Sequence, residues 1–160
     1  PIAPQVYRNL ALNPLCAHAF CGGYPFVRDD SPMKHDSITA PRNVIDGVTL
    51  TGQSGLWPHQ GWMPDERESR ITIEFGREVE ADRMLLTICP GTQGRCWRQA
   101  SVTLSDGFEL TFPLEPSTRA QNVEIEDTHM IDALTLHGMT EEGAAGSAPA
   151  LMECEVWGRG

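Results

Sequence analysis

An antiparallel, all-β sandwich is the fold this sequence predicts, and three observations predict it. The 15 glycines and 12 prolines among 160 residues leave little room for long helices, because both residue types interrupt them. From Arg70 onward, apolar and polar residues alternate in short runs, the two-residue period of half-buried strands. Within ASVTLSDGFELTFPL, two such runs flank Ser105-Asp106-Gly107, which is hairpin chemistry.

Taken in order, residues 1–40 read as irregular: YRNLALNPL gives way to cysteine, glycine, proline and charge, with no sustained helical period. RITIEFG places Ile71, Ile73 and Phe75 on one face, and RMLLTIC is a more continuous apolar run, as a strand covered on both sides requires. The hairpin follows, then QNVEIED, MIDALTLHGM and ALMECEVWG. Seven short strands separated by turns are the pattern of a sandwich, not of alternating strands and helices. EEGAAGSAPA, Glu141 to Ala150, reads as a loop before the last strand. No internal repeat appears, and the chain reads as one domain over residues 1–160, with its sandwich core over about 40–158.

Composition excludes several partner classes. Acidic residues outnumber basic ones 22 to 12, the net charge is −10, and Lys34 is the one lysine. Phosphate backbones and anionic membranes need clustered cations, so neither nucleic acid nor membrane is an expected partner. No apolar run reaches the roughly 20 residues of a membrane span. No charged-then-apolar leader opens the chain, and its start at Pro1 leaves the compartment undecided.

The five cysteines are Cys16, Cys21, Cys89, Cys96 and Cys154, an odd number that rules out complete internal pairing. Cys154 alternates with apolar neighbours and reads as a buried strand thiol. Cys89 and Cys96 bracket PGTQGR and would staple that loop in an oxidising compartment. Cys16, His18 and Cys21 offer three possible zinc ligands but no second pair at zinc-finger spacing, so a loop with a reduced or disulfide-bonded cysteine pair is the better reading. The histidines His18, His35, His59, His129 and His137 lack a catalytic context: GQSGL is not a nucleophile elbow, and neither HExxH nor a phosphate-cradling loop occurs.

The order of pieces is more specific than any one of them. Asn43-Val44-Ile45-Asp46-Gly47 comes first, then the tryptophan-bearing WPHQGW, then RITIEFGREVEADRMLLTI, VTLSDGFELTF and a closing PALMECEVWG. This order resembles the galactose-binding-like, jelly-roll β-sandwich of discoidin or coagulation factor 5/8 C-type domains and of bacterial carbohydrate-binding modules, across Tyr7 to Gly158. The resemblance implies a non-catalytic module that recognises a polysaccharide or glycan, secreted or at a cell surface, with other domains in a longer chain. The other function it allows is a structural accessory or protein-interaction domain packed on a catalytic neighbour.

The resemblance also implies a structural calcium, with Asn43, Asp46 and Thr51 near the start of the sandwich and Glu153 on its last strand as ligands. Calcium takes six to eight hard oxygens, several of them from a tight turn. Where relatives often carry an acidic or amide residue after the glycine, this chain has Val48 and Thr49. Asp46 capping its own turn, with Glu153 at a strand end, is the alternative. For sugar, Trp57 and Trp62 flank His59 and Gln60, which combines a flat apolar platform with polar groups. One of the two tryptophans belongs in the core. Arg95, Trp97 and Arg98, on the connection after RMLLTIC, form a second candidate surface, where arginine forks suit vicinal hydroxyls or a uronate; the alternative for Trp97 is a core anchor at a strand start. The arginine that galactose-type modules place directly after this strand is Cys89 here, so no sugar specificity transfers.

Overall fold

The computed structural model describes residues 6–15, 23–30, 39–49, 61–64, 69–143 and 145–160. Its strands are β1 (Arg8–Asn9), β2 (Phe26–Asp29), β3 (Ile71–Cys89), β4 (Cys96–Leu104), β5 (Glu109–Pro113), β6 (Gln121–Glu142) and β7 (Ala150–Arg159), with one 3-10 turn at Pro41–Ile45. They pair antiparallel in the order β1-β7-β3-β6-β4-β5, and β2 adds to β3.

RITIEFG and RMLLTIC, expected as separate strands, are one strand of 19 residues. Its register with β6 slips between Glu74 and Val79 and again between Ala81 and Arg83. Such slips bend a strand without ending it. Ile71–Glu74 therefore pair with β2, while Glu80–Cys89 pair with β7, and one strand serves both layers of the sandwich. QNVEIED and MIDALTLHGM fuse in the same way into β6, where Asp127 turns through a positive φ of 62°. His129 beyond the bend holds Asp106 of the β4–β5 hairpin through Nδ1 and the Glu126 carbonyl through Nε2, at 2.5 and 2.7 Å.

The core lies between the layers and includes Met84, Leu86, Ile131, Leu134 and Val156, each no more than 1% exposed. Residues 1–40 are largely irregular where described, as expected, but Leu10, Ala11 and Val27 also join the core. The two short strands there owe their form to edge pairing on β7 and β3, not to local alternation. Among the described residues no helix is long and apolar enough to cross a membrane.

Cys96 and Cys154 are buried thiols, and no disulfide joins Cys89 to Cys96. Cys154 sits wholly within the apolar interior, and burial pushes its thiol well above the usual range. Cys16, Cys21 and His18 lie outside the described residues.

At Gly158 the backbones of β7 and β3 come close together: a Cβ would stand 1.7 Å from the Glu80 carbonyl oxygen and 2.7 Å from its carbon. Gly158→Ala must force two paired strands apart, so urea denaturation should show a loss of about 1–3 kcal/mol or more. An unchanged midpoint would mean that the two backbones part without cost.

Candidate functional site

β3 ends at Cys89, β4 begins at Cys96, β6 ends at Glu142 and β7 begins at Ala150, all at one end of the sandwich. The two connections there, residues 90–95 and 143–149, are fastened to each other. Thr92 N–H donates to Ser147 Oγ at 3.0 Å, and Ser147 N–H donates to Thr92 Oγ1 at 2.8 Å. A Cβ on Gly91 would meet the Ser147 oxygen at 1.8 Å, and one on Gly146 would meet the Thr92 oxygen at 2.2 Å. These glycines are what lets the two backbones touch.

Arg95 is planted in this pair of loops. Its Nε donates to Glu141 Oε2 at 2.8 Å and its Nη1 to the Gly146 carbonyl at 3.4 Å. The two side chains are 26% and 14% exposed, so the pair is sheltered but reachable. Three residues on, Arg98 Nε meets Glu142 Oε2 at 2.5 Å, out in solvent. The geometry thus gives each arginine a glutamate from the end of β6. Sequence reading placed Glu141 and Glu142 in a loop, but β6 runs through both, opposite Trp97 and Cys96.

Trp97 is corrected by the structure. It is 2% exposed and belongs to the core, so it offers no platform to a ligand. The cause is a register slip in β4 between Trp97 and Gln99. It turns Cys96 and Trp97 both inward and Arg98 and Gln99 both outward, breaking the alternation that would have exposed every second residue. Cys96, Trp97 and Arg98 also stand in a strand, not on a connection.

Trp62 is the core tryptophan of WPHQGW. It is 0% exposed, pairs with Leu151 in both backbone directions at 2.8 and 3.0 Å, and donates from Nε1 to Asp29 Oδ2 at 2.9 Å. Burying so large a ring stabilises the start of β7 by several kcal/mol, on the order of 3–5 for removal to alanine. Trp57, His59 and Gln60 lie outside the described residues, as does Thr51.

The remaining ligand candidates for an ion do come together. The 3-10 turn buries Asn43 and delivers Asp46, whose Oδ1 accepts from Val48 N–H at 2.8 Å. Glu153 of β7 is 1% exposed and lies close enough to Asp46 for the two carboxyls to perturb each other, while Gly47 N–H lies 3.2 Å from each of its carboxyl oxygens. Burial, then the neighbouring Asp46 charge, pushes Glu153 up to about 9, and burial raises Asp46 too. Two carboxyls in one dry place must either share a proton or share a cation. Among the described residues no three His, Cys, Asp or Glu side chains converge. Two carboxyls are oxygen donors of the hard type calcium takes, though they supply only part of the six to eight oxygens it needs.

Solved structures place the fold. A carbohydrate-binding module of family 32 from Clostridium perfringens, in complex with GlcNAc-α-1,4-galactose, superposes with a TM-score of 0.61 at 17% identity, covering 98% of each chain. The galactose-binding-like sandwich is the fold of this chain. Chitosan-binding module 2 of a chitosanase/glucanase from Paenibacillus sp. IK-5, in complex with chitotriose, matches with a TM-score of 0.63 at 15% identity, over 94% of this chain and all of that one. A truncated AlyQ with family 32 module and alginate lyase domains matches with a TM-score of 0.65 at 13% identity, over 98% of this chain and 34% of that one. No family model and no curated protein sequence matches the chain.

With chelator present, the folded protein holds a proton on Glu153 that the unfolded chain releases near its ordinary carboxyl value. Folded protein then binds more protons than unfolded protein, so stability falls as pH rises from about 5 toward about 9. Glu153→Gln should flatten this fall in thermal denaturation followed across the same range. An equal slope in the variant would place the proton elsewhere.

Proposed function

We propose that this chain is a non-catalytic carbohydrate-binding module that holds a glycan at the loop end of the sandwich. The observation that carries the reading is Arg95, fixed by Glu141 and Gly146 between two fastened loops, on a fold shared with sugar-bound modules. A guanidinium held by its Nε and Nη1 keeps its remaining donors in a set direction, which suits paired sugar hydroxyls. Trp57, His59 and Gln60, outside the described residues, are the aromatic and polar groups the sequence offers to such a site, and Arg98 is exposed on the strand that follows Arg95. The neighbour with an attached alginate lyase supports a role beside a glycan-degrading domain.

A calcium ion held by Asp46 and Glu153, with Asn43 and Thr51, is part of the same proposal. It would neutralise the carboxyl pair and tie the 3-10 turn to β7. Its chemistry there is charge neutralisation and loop order, with no part in any reaction.

A second reading has its own observation. Val6, Tyr7, Leu12, Leu15, Tyr24 and Phe26 are all large, apolar and exposed, and all come from the N-terminal segment. An accessory domain packed against a catalytic neighbour would use such a surface.

A screen of soluble polysaccharides, with calcium and with chelator, separates these readings. A binder should lose at least tenfold in affinity on Arg95→Ala while its thermal midpoint stays within a few degrees. Absence of binding to any plant, microbial or host glycan would leave the accessory reading in possession. Calcium at about 100 times its Kd should add about 2.7 kcal/mol of stability. Glu153→Gln should abolish that gain, and a full gain in the variant would exclude this ion site.

A further inference from the structure

β7 runs from Ala150 beside Cys89 to Arg159 beside Glu80, so the bend of β3 lies at the opposite end of the sandwich from Arg95. There Tyr24 stands 61% exposed, with its ring seated on Gly76. A Cβ on Gly76 would lie 2.4 Å from Tyr24 Cγ, and the glycine's φ is +73°. Both facts demand glycine, and together they fix an aromatic ring at the surface.

One side of that ring walls a cleft of about 330 Å3, lined by Arg8, Leu10, Leu12, Pro25 and Arg77 among others. No carboxylate lines it, in a chain with 22 acidic and 12 basic residues. The acids near the ring, Glu74, Glu78 and Asp132, line an adjoining cleft that shares Tyr24, Gly76 and Arg77 with this one. Glu74 is already paired with Arg28 at 3.1 Å. Among the described residues Arg77 makes no ion pair, and Arg8 makes only a long contact, 3.4 Å, to the Gly160 carbonyl. The walls are anchored. Leu10 N–H donates to the Val156 carbonyl at 2.7 Å, Asn13 N–H to Ile45 at 2.8 Å, and Asn13 Nδ2 to the Pro25 carbonyl at 2.9 Å.

We propose that this cleft is a second carbohydrate subsite and that it takes an acidic sugar, a pyranose bearing a carboxylate. The inference rests on the reading of the chain as a glycan-binding module and adds a site and a substrate class to it. The C–H face of the sugar lies on the Tyr24 ring and against Leu12 and Pro25. The carboxylate lies between Arg8 and Arg77, whose forks match its two oxygens. Two guanidiniums at one apolar wall, neither in an ion pair among the described residues, attract an anion even on a chain of net charge −10, because the field in a cleft is set most strongly by its own lining.

The test titrates the intact protein with a galacturonic acid trimer and, separately, with neutral galactotriose. The acidic trimer should bind, with affinity that falls as salt is raised. Its Kd should rise about tenfold or more with Arg77→Gln and with Arg8→Gln, and binding should vanish with Tyr24→Ala. Arg95→Ala should leave it unchanged, and Arg77→Gln should leave the neutral trimer unchanged. Equal affinity of Arg77→Gln and the unaltered protein for the acidic trimer overturns the proposal. Failure of the acidic trimer beside Arg95-dependent binding of a neutral glycan overturns this cleft alone. Failure of every glycan overturns the module reading with it.

Discussion

The bend of β3 between Glu74 and Arg83 is the constraint on which the rest of the molecule depends. A straight strand of 19 residues would lie in one layer and leave the other without a partner. Because the register slips twice, the first half carries β2 and the Ala133–Leu136 side of β6, and the second half carries β7 and the Gln121–Glu124 side. The same bend presents Gly76, and so Tyr24, at one end of the sandwich. At the other end it releases the chain at Cys89, next to the loops that hold Arg95.

Glu153 is the second organising feature, and it works by cost instead of by pairing. A carboxyl 1% exposed beside another carboxyl is a liability in a largely apolar interior. Its backbone sits opposite Thr87 of β3, while its side chain reaches the Asp46 turn. Whatever neutralises it therefore also decides how firmly residues 41–48 are held against β7. Stability and the order of the early loop are one property at this point.

Much of the sandwich was legible because alternation survives in RITIEFG, ASVTL, QNVEIED and ALMECEVW. The fusions into β3 and β6 were not, since Gly76 with its charged neighbours, and Glu126-Asp127-Thr128, have the composition of turns. Only the cross-strand register shows them to be bulges. Trp97, read as part of a connection, stands instead in β4, where the register slip before Gln99 turns it inward beside Cys96. Asp46 and Glu153 were found through the order of the motifs, not through any local pattern. The glutamates opposite Arg95 and Arg98 carried a usable signal, two adjacent acids at the close of an alternating run. The Tyr24 cleft carried none, because its walls come from distant parts of the chain and meet only through the pairing of β2 on β3 and of β1 on β7.

The pairing of β1 with β7 has a mechanical consequence. Arg8 lies opposite Gly158 and Asn9 opposite Trp157, so the chain enters and leaves side by side. Tension applied across those two points pulls the strands apart in a peeling geometry, and hydrogen bonds perpendicular to the strands break one after another. Such an attachment yields at low force at its edge while the long β3–β7 ladder behind it holds. A load would thus be absorbed first by the Tyr7–Trp157 stack and the two-residue strand, and the loops around Arg95, at the far end, would be the last to feel it.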